Sequence, residues 1–286
     1  MSATTSRSTH RRRGRPVWQR RPWLTFTVTA LVVVVMFPFF WLVQMSLRPS
    51  SDAMGYGLLF TPTLEHYLAL WTDDTEFPKS FVNSVYASVL ATALSLVLGV
   101  PAAYSLSRFQ FRGGRHIALW ILATRMAPPI AFTIPFFLAY RYLGLVDTVL
   151  GLALIYVTFN LALVIWLMTN FFGGVSREIE ESAYIDGATV WGAFFRITLP
   201  LTAPGLAATT VLCFLFCWND FFFALILTKT EAMTAPVAIV NFMQYFGWEW
   251  GKITAGGVLV MLPVIFFSIF VRRYLVSGML AGGVKE

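Results

Sequence analysis

Six runs of mostly apolar residues dominate the chain, at 24–47, 81–107, 117–140, 149–171, 205–227 and 254–271. A helix needs about 20 such residues to cross the hydrocarbon of a bilayer, and inside lipid only helices or closed barrels satisfy every backbone polar group. The predicted fold is therefore all-α, a polytopic membrane protein with six transmembrane helices. A water-soluble globule is excluded by composition, because 57% of residues are hydrophobic and only 12% charged, where soluble domains carry about 25% charge. Pro128, Pro129 and Pro135 interrupt the third run, which predicts a broken helix facing protein or a watery path.

Six spans place both termini on one side. Fifteen basic residues outside the spans fall on that side and five on the other, so the termini are expected in the cytoplasm. The net charge of +7 thus encodes topology, and no nucleic-acid partner is expected. Seven arginines crowd into residues 1–22, an arm that can rest on anionic membrane lipid. The apolar run after it exceeds a signal-peptide core and no A-x-A cleavage pattern follows, so the first span is expected to stay. Cys213 and Cys217 stand four apart in an apolar run with no His pair nearby and read as packing residues. No phosphate-binding Gly-x-x-x-x-Gly-Lys loop occurs, so the energy must come from a partner or an ion gradient.

The long polar stretch on the basic side is SREIEESAYIDGATVWGAFFRITLPLTAPG, residues 176–205. Glu178, Glu180 and Glu181 suit the opening turns of a short helix, and Gly187 permits a turn. Trp191, Phe194 and Phe195 at i, i+3 and i+4 predict a second short helix with one aromatic face. Pro200 is expected to end it. Such an element could lie on lipid or plug a groove on a cytoplasmic partner.

Glu181-Ser182-Ala183, three residues, Gly187, nine residues, then Ile197-x-Leu199-Pro200 resembles the EAA loop, E-A-A-x3-G-x9-I-x-L-P, of permease subunits in binding-protein-dependent ABC importers. Both spacings match, and Ser182 stands where the second position is usually Ala. Arg125-Met126-Ala127-Pro128-Pro129, Trp218-Asn219-Asp220-Phe221 and the final stretch from Gly278 to Lys285 are similar to carbohydrate importers of the maltose and glycerol-phosphate type, specifically the short-tailed permease of the pair.

The resemblance implies a type I importer permease fold in a bacterial or archaeal cytoplasmic membrane. It implies an arm at 1–22, a permease domain at 23–276 carrying an EAA coupling loop at 176–203, and a cytoplasmic tail at 277–286. It also implies a second permease, a related but different chain, two ATPase subunits holding ATP and Mg, and an external sugar-binding protein, with no cofactor and no catalysis on this chain. Glu181, Ser182, Ala183, Asp186, Gly187, Trp191, Phe194, Phe195, Ile197, Leu199 and Pro200 would then form the ATPase-coupling element. The tail is a frayed end by composition, whereas the resemblance has it reach between the ATPase subunits.

Polar groups inside the spans are candidates for the translocation path, because a charge facing lipid costs about 2.5 kcal/mol or more. They are Asn83, Arg125, Asn160, Asn219 and Asp220, with Phe221 as an aromatic platform, and Arg125 could equally pair with Asp220. Between the last two spans, Phe242, Tyr245, Phe246, Trp248 and Trp250 fit an interfacial aromatic belt or, by the resemblance, a loop that docks the binding protein. An ion-gradient carrier using Asp220 is the rival reading, and it leaves the polar loop unexplained.

Overall fold

The computed structural model describes residues 22–52, 55, 57, 59–72, 76–109, 112–244 and 247–282. The arm at 1–21, Tyr245, Phe246 and residues 283–286 lie outside them. Among the described residues four helices are long and apolar enough to cross a membrane: the first span Pro22–Ser46, the second Glu76–Arg108, the fourth Val149–Gly173 and the last, Trp250–Gly282. The third is broken as expected, with Gly114–Met126 and the segments from Pro129 to Tyr142 meeting at 92°. The fifth, Ala203–Trp218, breaks at residues 219–221 and resumes as Phe222–Leu227.

The core is built around the second and fourth spans. Most of the buried residues of the second are small, among them Ser80, Ser84, Ala87, Ser88, Ala91, Ser95, Gly99 and Ala103. Those residues let another backbone come close, the packing that works where lipid removes the hydrophobic drive. Against them the fourth span sets large side chains, including Val164, Met168 and Phe172. A Cβ on Gly99 would stand 2.7 Å from Val164 Cγ1, so this crossing tolerates nothing larger. Cys213 and Cys217 are free and buried, as packing residues should be.

The first span lies against the last and leaves most of its surface exposed, as a lipid-facing helix would. Beyond it, on the side opposite Pro22 and Gly282, a helix Glu65–Thr72 caps the membrane domain. Buried Arg48 gathers the loop before it, bonding Asp52 and the carbonyls of Gly55 and Gly57. An antiparallel ribbon of Met243–Gln244 with Gly247–Trp248 is the sole strand pairing among the described residues. The last helix runs through Gly282, so the backbone of the expected flexible tail is helical as far as that residue.

Candidate functional site

The element predicted at 176–205 forms a helix, a turn and a second helix. Ser176 Oγ accepts from Glu178 N at 3.3 Å and caps the first helix, Arg177–Ile185. The helix ends in a Schellman motif. Gly187 N donates to Tyr184 O at 3.1 Å, Ala188 N donates to Ala183 O at 2.9 Å, and Gly187 has φ +84°. Thr189 Oγ1 then accepts from Gly192 N at 3.1 Å, capping the second helix, which starts at Val190.

One expectation needs correction. Pro200 does not end the second helix, which runs from Val190 to Leu201 and meets the fifth span at a 78° bend at Thr202. A π turn at Phe194–Thr198 precedes Leu199–Leu201. Pro200 therefore sits in the first turn of a new helical segment, where its missing N–H is harmless. The aromatic residues form one cluster of touching rings, as expected, but they differ in depth. Phe194 is 1% exposed and packs on Tyr104 at 4.7 Å, whereas Trp191 and Phe195 are exposed and stack on each other at 5.8 Å.

The first helix is not acidic on one surface only. Glu178 and Glu181 face out, but Glu180 is buried, with its carboxylate taking hydrogen bonds from Arg108 Nε at 2.7 Å, Tyr104 Oη at 2.8 Å and Thr198 Oγ1 at 2.8 Å. Arg108 Nη2 also donates to Val175 O, and Arg177 Nη2 donates to Ser107 O. One buried carboxylate thus joins the end of the second span, the first short helix and the π turn. Sequence reasoning missed this hub; its signal was Arg108 closing the second span, two spans before an i, i+1 pair of glutamates.

The outward surface left by these contacts combines Glu181, Ser182, Ile185, Asp186, Trp191 and Phe195. Ala183 is buried beneath it, Ile197 and Leu199 are half-buried, and Ile185 was not anticipated. Chemically this is a rigid, apolar and acidic knob with a fixed base, suited to fill a socket.

The polar groups expected along a path are spread through the fold. Asn83 Nδ2 donates to the carbonyls of Glu231 and Met233, and Asn160 Nδ2 to Tyr156 O and Cys217 Sγ. Asp220 caps the helix after the break in the fifth span, accepting from Phe223 N and Ala224 N. Arg125 does not pair with it; its guanidinium lies 4.8 Å over the Phe216 ring. Asn219 and Phe221 are the two of the set that reach the surface. Among the described residues no group of three or more His, Cys, Asp or Glu side chains could hold a metal ion.

Of the aromatic residues between the last two spans, Phe242 faces inward against Phe77 at 6.4 Å, so the loop presents it to the core and not to a partner. Trp250 is half-buried at the start of the last helix, only the backbone of Trp248 is described, and Tyr245 and Phe246 lie outside the described residues.

Comparison with known proteins shows what the whole chain resembles. The family described as "Binding-protein-dependent transport system inner membrane component" matches residues 95–280, which contain the 176–202 element. The trehalose transport system permease protein SugB of Mycobacterium tuberculosis is 37% identical over 90% of this chain and 95% of its own length. The trehalose/maltose transport system permease protein MalG of Thermococcus litoralis is 32% identical over 89% and 93%. A crystal structure of a bacterial ABC transporter involved in the import of alginate superposes with a TM-score of 0.75 at 26% identity, covering 91% of this chain and 99% of that one.

Proposed function

This chain belongs to the family of binding-protein-dependent transport system inner membrane components, and from that membership we propose that it is the membrane subunit through which an ABC importer takes up an oligosaccharide. It is a multi-pass inner membrane protein of an importer that works with a binding protein. The sugar we favour is a disaccharide such as trehalose or maltose, which the names of two of the relatives above support.

The observation that carries the reading is the knob built on Glu180. A ligand event elsewhere shifts a conformational equilibrium only through contacts that differ between states, and here a socket on an ATPase subunit would grip Glu181, Ile185, Trp191 and Phe195. ATP and Mg would be held by two such ATPase subunits, with hydrolysis there and no bond chemistry on this chain. Closure of the ATPase pair would move the knob, and the hydrogen bonds of Arg108 and Thr198 to Glu180 would carry that movement into the second and fifth spans. The basic side, with both termini, faces the cytoplasm in this scheme, a second and different permease completes the path, and the segment around the 243–248 ribbon meets the sugar-binding protein outside.

The test is ATPase activity and uptake by the reconstituted complex, with and without its binding protein, over trehalose, maltose and a monosaccharide panel. Hydrolysis stimulated by one sugar and coupled to its uptake supports the proposal. Uptake that ignores nucleotide would overturn it.

A further inference from the structure

Two connections far apart in sequence meet at the ends of the second and fourth spans that lie away from the knob. Asp147, between the third and fourth spans, has φ 59°, a left-handed backbone that Asp adopts more readily than most residues. Its carboxylate collects four consecutive backbone N–H groups from the connection after the fifth span. Lys229 N and Ala232 N donate to Oδ1 at 2.8 and 3.0 Å, and Thr230 N and Glu231 N to Oδ2 at 3.3 and 3.2 Å. The Asp147 N–H in turn donates to Leu227 O at 2.7 Å.

The opposite flank of the same strap is held by the second span. Asn83 Nδ2 donates to Glu231 O at 2.8 Å and Met233 O at 3.0 Å, Ser84 Oγ accepts from Ala235 N at 2.8 Å, and Lys79 Nζ bonds Glu231 at 2.8 Å. Apart from the backbone bond of Asp147 to Leu227, each of these bonds joins a side chain of a span end or turn to the strap, so the strap's course is set from outside itself. The helix Ala235–Asn241 rises directly from it and leads through Phe242 into the 243–248 ribbon. Glu249 N closes back on Phe242 O at 3.2 Å.

We propose that Asp147 is the positioning residue for binding-protein docking: by seating residues 229–232 it sets the angle at which the 243–248 ribbon is presented and ties that surface to the head of the fourth span. The inference rests on the reading above that this ribbon region meets the binding protein. The fourth span ends at Gly173, three residues before the cap of the knob, so a partner pressing on the strap acts on the same rigid helix that leads to the ATPase side. Charge matters here as well as shape, because converging N–H groups form a nest for an anion.

The experiment uses the full complex in lipid nanodiscs, native and with Asp147→Ala, Asp147→Asn or Asn83→Ala. Three readouts are taken: ATPase without binding protein, the half-saturating concentration of binding protein loaded with trehalose or maltose, and amide exchange at residues 229–232. Asp147→Ala is expected to raise the half-saturating concentration about tenfold and quicken exchange at the four amides, with ATPase in the absence of binding protein within about twofold of native. Asp147→Asn should fall between, because its amide keeps one acceptor oxygen and sets its own N–H groups against the other two donors. Asn83→Ala, which loosens the other flank, should shift the same quantity in the same direction. Rapid exchange with unchanged half-saturation would overturn the inference, and so would an equal fall in both ATPase rates with poor complex recovery, the mark of a merely structural residue. A native complex indifferent to its binding protein would overturn the docking reading itself, and it is seen before any variant is made.

Discussion

Arg108 donates through Nε to Glu180 Oε1 at 2.7 Å, with the two side chains only 7% and 4% exposed. A pair this deep must be broken or replaced as a unit, because removing one partner strands a buried charge at about 3–5 kcal/mol. Glu180→Ala should therefore sharply lower the thermal stability of the purified complex, while Arg108→Met with Glu180→Met should recover much of it. Both should lose coupling of hydrolysis to uptake, which would separate the strength of the joint from its specificity. Native stability in Glu180→Ala would show that the hub bears no structural load.

Gly187 is a test of backbone against contact. No atom lies within 4 Å of a Cβ built there, yet φ is +84°, so any L side chain costs about 1–2 kcal/mol by left-handed strain alone. Gly187→Ala and Gly187→Trp should thus destabilise the isolated permease alike in a melting assay. Only the Trp variant should lose the ATPase subunits on co-purification, since the turn then meets the socket wall. Equal retention of the ATPase by both would remove this turn from the docking surface.

The neighbouring phenylalanines should behave oppositely. Phe194→Ala empties a core site against Tyr104 and Phe172 and should cost about 3–5 kcal/mol of stability. Phe195→Ala and Trp191→Ala leave that core intact and should instead reduce ATPase recovery in pull-downs by about tenfold, as interface aromatics commonly do. A stable Phe194→Ala protein would contradict the inward placement of that ring.

Acid should loosen the strap, and only at the low end. Burial raises the Asp147 carboxyl, but the four backbone donors outweigh it and hold the group below its ordinary value. Lys79 pairs with Glu231 alongside at 2.8 Å. A carboxylate depressed in the folded state contributes stability in full above its unfolded value, about pH 4, and loses it as pH falls through the folded one. Protection of amides 229–232, corrected for intrinsic exchange, should be flat from neutrality to about pH 4 and decline below that. A midpoint near neutrality would mean another group governs the strap.

The apolar runs made the spans legible, because crossing lipid leaves a helix little freedom of length or composition. The helix, turn and helix of the knob were legible too, since a turn glycine such as Gly187 acts within a few residues of itself, whereas the caps Ser176 and Thr189 became visible with the structure. What escaped were the bonds that close over distance. Glu180 reads as one of three surface acids until Arg108 arrives from the second span, and Asn83 reads as a path residue until the strap takes both its donor contacts. Pro200 misled for a different reason. A π turn restarts the helix just ahead of it, so the residue that should stop a helix opens one.

The last helix has 33 residues, interrupted in its sequence only by Pro263. At 1.5 Å per residue it is about 50 Å long, against a hydrocarbon thickness of about 30 Å. It begins beside the ribbon and Phe242 and exceeds that thickness by about 20 Å. In the importer proposed above, a tilt imposed at the ribbon end would reappear, reversed in sense, at the Gly282 end. The helix would then join the two watery compartments as one stiff lever whose fulcrum is the bilayer.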